Sequence, residues 1–327
     1  MSRRRLFQLG WVIVAAIALL FLPMLVGELS VHLAVEILVY ALFAVSFNLL
    51  AGYGGMMPFG HAALFAVGAY ATALICNNLP GVPLLLALVI AALLSVAAAA
   101  IVGFFCIRLK GAYFALLSFA FQMFFFAVAS KWRDVTNGPD GMGVARPDLY
   151  LPGLGTLSLV SITHFYYFTL VLVATGVLAC YLFLKTPLGN TLICTREQDV
   201  RASFLGYNVF LARLVVFCAS GLLAGGAGGL FVLFQKYVNT GVVDMNMSMT
   251  VLLMTVIGGG GHFLGPVLGA AFYVVFQNWI SSLTDHWWIL LGVVFVVVVL
   301  YVEGGLISIV TSDRVRRWMG VGTGKAK

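Results

Sequence analysis

Apolar residues fall along this chain in long runs separated by short polar punctuation. The runs lie near residues 9–27, 32–51, 60–76, 83–107, 111–131, 164–185, 211–235, 249–257, 264–282 and 286–303. A helix crossing the hydrocarbon core of a bilayer needs about 20 residues. Most runs reach that length; the eighth does so only with its glycine-rich end included. The pattern predicts an all-α polytopic membrane protein of about ten transmembrane helices. It forms one membrane domain over 1–310 with a basic tail over 311–327. The start, Arg3-Arg4-Arg5 before the run from Leu9 to Gly27, resembles a signal peptide. The run is too long for an h-region, and no small-x-small cleavage site follows it, so it is read as an uncleaved first helix.

Composition excludes the main alternative. The 327 residues are 62% hydrophobic and 9% charged, against ~25% charged in soluble domains. Such a chain cannot cover a water-facing surface, so the bilayer is its solvent. The formal net charge of +7 does not imply nucleic acid: no basic run with interleaved aromatics lies outside the apolar segments except the short tail Arg314, Arg316, Arg317. Cys76, Cys106, Cys180, Cys194 and Cys218 form no CxxC pair and read as small apolar side chains, with no metal site.

Charge also orients the chain. With the N-terminus in the cytoplasm, that side holds Arg3, Arg4, Arg5, Arg108, Lys110, Lys185, Arg196, Arg201, Arg213, Arg314, Arg316, Arg317, Lys325 and Lys327, which is 14 of the 18 Lys and Arg. The outer side holds Lys131, Arg133, Arg146 and Lys236. This bias follows the positive-inside rule and predicts an even helix count with both termini cytoplasmic. Two polar stretches then face opposite sides: an extracytoplasmic loop over 132–163 and a charged cytoplasmic loop over 186–208.

Four stretches carry candidate chemistry. The first runs from Gly52 through Tyr53, Gly54, Gly55, Met56, Met57, Pro58, Phe59 and Gly60 to His61. So many glycines and a proline will not hold a helix. Broken backbone survives in lipid only inside protein or against a watery cavity, so the segment is either a tight turn or part of a solute path. A second break, from Gly258 and Gly259 to Pro266, has the same character. On the outer side, Thr136-Asn137-Gly138-Pro139-Asp140-Gly141 is a turn, either a plain solvated loop or a docking place for an extracytoplasmic partner. In the cytoplasmic loop, Ile193, Val200 and Phe204 fall on one helical face among charged neighbours. A short amphipathic helix of mixed charge suits a groove in a protein partner. Within the apolar runs, Glu36 is the one serious buried carboxylate, placed either along a pathway or in a helix contact near the outer interface.

Two rivals follow from the same residues. An ion-driven secondary transporter would use Glu36 but leaves the charged loop without a task. An intramembrane serine protease would need Ser220 and His262 in contact. No Gly-x-x-x-x-Gly-Lys-[Ser/Thr] loop occurs, so ATP would have to be bound by another polypeptide.

The motifs taken together resemble the branched-chain amino acid ABC-importer permeases of the LivM type. The cytoplasmic loop matches at Pro187, Gly189, Arg196-Glu197, Asp199, Arg201-Ala202, Gly206 and Asn208, with Asn190 where the family has Arg and Ser203-Phe204 where it has Glu-Ala. The early motif matches over Asn48 to Gly55 and Gly60 to Tyr70, with Met56-Met57-Pro58 as a departure. Thr136 to Gly141 matches the outer motif, and Ile257-Gly258-Gly259 with Gly265-Pro266 and Gly269-Ala270 the late one. The resemblance implies a multi-pass subunit of the bacterial inner membrane, paired with a second homologous permease, two cytoplasmic ATPases and an extracytoplasmic substrate-binding protein. ATP then belongs to the partners, and this chain needs no cofactor. The broken backbone and the intramembrane carboxylate set a candidate solute path along Glu36, Asn48, Gly52, Gly55, Met56, Met57, Pro58, Gly60, His61, Gly258 and Gly259. The resemblance also implies ATPase coupling through Ile193, Arg196, Glu197, Asp199, Val200, Arg201, Ala202, Phe204 and Gly206, and binding-protein docking at Thr136 to Gly141. The family also serves urea, amides and carboxylates, so the solute stays open.

Overall fold

A computed structural model of the chain describes residues 19–23, 27–79, 81–151, 155–197, 204, 208–284, 286–301 and 304–311. Its longer helices, in chain order, are α1 (Glu28–Asn48, continued by a π-helical turn over Leu49–Tyr53), α2 (Ala62–Asn78), α3 (Leu84–Cys106), α4 (Ala112–Lys131), α5 (Ile162–Leu184) and α6 (Pro187–Glu197). They continue as α7 (Val209–Gln235), α8 (Met245–Gly258), α9 (Gly265–Ser281), α10 (Trp287–Tyr301) and α11 (Leu306–Thr311). Two small antiparallel pairs complete the fold: β1 (Met142–Gly143) with β4 (Tyr237–Val238), and β2 (Leu149–Leu151) with β3 (Gly155–Leu157). The helices other than α6 and α11 alternate in direction, so both breaks, α6 and α11 gather at one end of the bundle. The strands gather at the other, the hairpin end.

The molecule is all-α in its membrane part, as the apolar runs predict. Among the described residues, Glu28–Tyr53, Leu84–Cys106, Ala112–Lys131, Ile162–Leu184 and Val209–Gln235 are long and apolar enough to cross a bilayer. The runs expected at 60–76 and 249–257 form helices of 17 and 14 residues. At ~1.5 Å per residue these fall short of a ~30 Å core, because the glycine-rich breaks consume the rest. The first expected helix, 9–27, and the tail lie largely outside the described residues.

α1 is the central post. Every residue from Ala41 to Leu50 is buried, and the helix packs against α5, α7, α8 and α9. Around it, α2, α3 and α7 pack through small residues. α7 carries Gly221, Gly225, Gly228 and Gly229 along one side. A Cβ on Gly228 would overlap the Phe65 carbonyl, one on Gly68 would overlap the backbone of Gly225, and one on Gly221 would stand 2.5 Å from Ala99 Cβ. Lipid tails are as apolar as leucine, so helices associate by close packing and hydrogen bonds instead. Ser95 supplies the latter: its Oγ lies 2.8 Å from both the Leu64 and the Gly221 carbonyl oxygens, tying α3 to α2 and α7 with one hydroxyl.

At the hairpin end Arg146 closes the C-terminus of α7. Its Nε donates to the Leu233 carbonyl at 2.9 Å and its Nη2 to that of Phe234 at 3.2 Å, while Nη1 donates to Leu159 at 3.0 Å. The guanidinium sits 4.0 Å from the centre of the Phe165 ring. Burial works against its charge and draws its pKa below the ordinary guanidinium value. The carbonyls left over at a helix end attract a cation, which is the compensation.

The close α2–α7 approach makes a paired prediction. Gly228→Ala should destabilise the detergent-solubilised protein by about 1–3 kcal/mol, the usual cost of overpacking, and lower its thermal unfolding midpoint. Gly226→Ala, whose added methyl would meet nothing within 4 Å, should leave the midpoint unchanged or raise it. Equal midpoints for the two variants would show that the glycines do not set the packing.

Candidate functional site

The first break starts where α1 widens into its π-helical turn; the Met56 amide reaches back to the Leu50 carbonyl at 3.0 Å. Beyond it, Gly54 to His61 leave the helix, and α2 begins at Ala62. Gly60 lies so close to α4 that a Cβ would overlap the Ser118 carbonyl. The opening amides around α2 are capped from other helices. Gly60 N–H donates to Ser118 Oγ at 3.3 Å and Ala62 N–H to Ser248 Oγ at 3.0 Å. Ser248 Oγ donates to Gln122 Oε1 at 2.9 Å, and Gln122 Nε2 to the Val243 carbonyl at 2.7 Å. Ser118 and Gln122 stand about 9 and 15 Å along α4 from its Ala112 end. The N-termini of α2 and α8 therefore meet inside the bundle, and both helices stop short of a full crossing. Sequence reasoning missed Ser118, Gln122 and Ser248; the signal was polar side chains inside apolar runs.

His61 is fully buried. It stacks on Phe43, with ring centres 5.4 Å apart, and meets Phe47 edge-on. Its Nε2 lies 2.8 Å from Ser46 Oγ. The Ser46 hydroxyl already donates to the Phe43 carbonyl at 2.6 Å, so the imidazole N–H is the donor. This bond fastens the exit of the break to α1.

The second break covers Gly259 to Leu264. Gly259 has φ +110 and faces Gly304 so closely that a side chain would collide with the latter's carbonyl; only glycine fits. This break meets the first, which their separation in sequence does not reveal. Asn48 joins them with both ends of its amide: Oδ1 accepts from Gly261 N–H at 3.0 Å and Nδ2 donates to the His262 carbonyl at 3.1 Å. A Cβ on Gly52 would stand 2.6 Å from Gly261 N.

α6 lies across this junction. Leu192 is fully buried and would meet a Cβ on Gly54 at 3.4 Å; Thr195 is buried beside it. Arg196 Nη1 donates to the Gly52 carbonyl. The inner face of α6 is therefore Leu192, Thr195 and Arg196. Ile193 is on the outer side at 38% exposure, and Phe204, beyond the helix, is 85% exposed. Glu197 ends α6; Asp199, Val200, Arg201, Ala202 and Gly206 lie outside the described residues. Beside the junction a cavity of about 570 Å³ opens between Gly55, Met56, Met57 and Phe59 on one side and Leu109 and Phe114 on the other.

The remaining expected residues are dispersed. Met56 and Pro58 are buried and Met57 is exposed; Gly258 and Gly259 are buried. Glu36 is half-buried on α1, well above Asn48. At the hairpin end, Thr136 Oγ1 donates to carbonyls of α4 and its cap, Ala129 at 2.7 Å and Trp132 at 2.8 Å, and Asn137 Nδ2 to Gly141 at 2.6 Å. The Tyr237 hydroxyl holds the Asp140 carbonyl. The outer turn is thus fixed, with Asn137, Pro139 and Asp140 exposed and Gly138 and Gly141 buried. Ser220 and His262 do not form a dyad: Ser220 Oγ donates to the Ser46 carbonyl at 2.7 Å, whereas His262 is exposed at the second break.

Asn48 is the testable hinge of this site. Asn48→Leu leaves one donor and one acceptor of the second break unmet, a cost of roughly 1–3 kcal/mol. Amide exchange at Gly261 should accelerate about tenfold or more while amides in the middle of α7 hold their rates. Unchanged exchange at Gly261 would show that Asn48 does not hold the breaks together.

Comparison with known proteins places this geometry. The family described as branched-chain amino acid transport system / permease component matches residues 29–299. The high-affinity branched-chain amino acid transport system permease protein LivM of Salmonella typhimurium (strain LT2) is 26% identical over 324 residues, covering 93% of this chain and 75% of that one. LivM of Escherichia coli (strain K12) is 26% identical over 304 residues, covering 87% and 71%. No solved structure matches the chain. The family match takes in α1 through most of α10, both breaks and α6 included, and the chain belongs to the permease components of branched-chain amino acid transport systems.

Proposed function

We propose that this chain is the membrane-spanning permease subunit of an ATP-binding-cassette importer. Its solute is a branched-chain or other hydrophobic amino acid, or a related small molecule, delivered by an extracytoplasmic binding protein. It sits in the bacterial inner membrane with about ten passes and both termini cytoplasmic, an orientation the Lys and Arg bias supports. It works with a second homologous permease and two cytoplasmic ATPases, which hold the ATP. The observation that carries this reading is α6. Its inner face packs on the junction of both breaks, and its outer side presents Leu188 and Ile193, with Phe204 just beyond, at the basic end of the bundle. A short rigid helix transmits displacement, where a loose loop would absorb it. The outer turn over Thr136 to Gly141 is held rigid enough to serve as the docking place for the binding protein.

Sidedness is checked with Cys194, which is exposed on α6. In a variant keeping Cys194 as its single cysteine, a membrane-impermeant maleimide should label inside-out vesicles and not intact cells. Labelling of intact cells would reverse the orientation.

Docking is checked at Phe204. Burying a phenylalanine in a partner groove stabilises by about 1.5–3 kcal/mol, so Phe204→Asp should leave membrane insertion intact. It should reduce co-purification of the ATPases at least tenfold. Full recovery of the ATPases with this variant would remove the loop from the interface.

A further inference from the structure

The cytoplasmic loop carries its charges in a row, and a row of charges at a partner-facing helix is ordinarily taken as partner recognition. Arg196 does something else. It shares a face with Leu192, the fully buried residue of α6, and its guanidinium reaches inward to the Gly52 carbonyl. That oxygen belongs to the last turn of α1, where the carbonyls left over at a C-terminus carry the negative end of the helix dipole. Its stem runs beside the first break: a Cβ on Gly55 would lie 3.0 Å from Arg196 Cγ. Its Nη1 would stand 3.8 Å from a Cβ on Gly261 in the second break. Arg196 therefore touches both broken segments at the place where Asn48 joins them.

We propose that Arg196 is a positioning residue, a latch that ties α6 to the broken backbone and releases it when α6 is displaced during the ATP cycle. This rests on the importer reading and assigns Arg196 a task within it that docking does not supply. A carbonyl at a helix end is a fitting catch. It is a single acceptor that the cation leaves and regains without disturbing the hydrogen bonds inside α1. A buried ion pair would leave an uncompensated charge each time it opened. Because Asn48 links the two breaks, movement of one is passed to the other.

The test is a cross-link in the complete importer reconstituted in vesicles. A Cβ on Gly55 would lie 3.8 Å from Arg196 Cβ, at the mean separation of a disulfide. Gly55→Cys with Arg196→Cys, in a background carrying Cys194→Ser, should form a disulfide under mild oxidant in the nucleotide-free state. The yield should fall at least fivefold when the complex is arrested with ATP and vanadate. The cross-linked complex should hydrolyse ATP without uptake, and reductant should restore uptake. Because Gly55 has φ +66, where cysteine is strained, Arg196→Ala and Arg196→Lys give a second readout that leaves Gly55 untouched. Arg196→Ala should keep its ATPases on co-purification, yet lose solute-stimulated hydrolysis at least fivefold. Arg196→Lys should recover part of it. Equal cross-linking in both states, or none in either, overturns the latch, as does normal uptake in the cross-linked form. Loss of the ATPases from Arg196→Ala would overturn it too, by assigning the residue to docking. Absence of any ATPase from the wild-type preparation would overturn the importer reading itself.

Discussion

A peptide group that leaves its helix inside a bilayer finds no water to bond with, and each unmet donor or acceptor costs several kcal/mol. This chain breaks its backbone twice within the bundle, and much of the surrounding structure answers that constraint. Ser118 and Ser248 cap the amides at the start of α2, and Asn48 serves one donor and one acceptor of the second break. Arg196 takes the Gly52 carbonyl. The polar side chains scattered through the apolar runs are therefore the means by which irregular backbone is held inside lipid. The small-residue faces of α2, α3 and α7 serve the same end: close packing around the breaks keeps lipid away from them.

Two arginines show the same device at opposite ends of the molecule. Arg146 closes the C-terminal carbonyls of α7 at the hairpin end, and Arg196 closes those of α1 at the other. Their settings differ in a way that matches different tasks. Arg146 makes three hydrogen bonds and stacks on Phe165, so it is fixed from several directions and braces the outer loop. Arg196 holds one carbonyl from an exposed helix. A charged hydrogen bond of that kind is worth about 1.5–3 kcal/mol, strong enough to define a state and weak enough to be exchanged for another.

The sequence exposed much of this and concealed the rest for identifiable reasons. The long apolar runs, both glycine-rich breaks and a short helix in the charged loop were all readable, because composition and local spacing carry them. The shortness of both α8 and α2 was visible in their runs, 249–257 and 60–76. That the two breaks touch was not readable, since Asn48 and Gly261 are joined only by the fold. The loop helix was read by one of its two faces: Ile193 and Phe204, read as partner-facing, are exposed, while the inward side of Leu192 with Thr195 and Arg196 went unread. A lone leucine beside polar residues looks like a solvated face until the helix is laid on a bundle that accepts it.

That division of α6 into two faces bears on how such a subunit can be driven. A helix that only docked on a partner could move without the membrane part responding, and one fused into the bundle could not move at all. Here the outer side is apolar and unfilled at Leu188, Ile193 and Phe204, and the inner side is anchored by one buried leucine and one hydrogen-bonded cation. The inner anchor is small beside the packing that holds α1 among α5, α7, α8 and α9. A push on α6 would therefore spend itself at the weakest junction it meets, the join of the two breaks beneath Arg196, before it disturbed the bundle. The glycines there leave the backbone without side chains that would resist a change of path, so on the importer reading a displacement of α6 would be passed to both breaks.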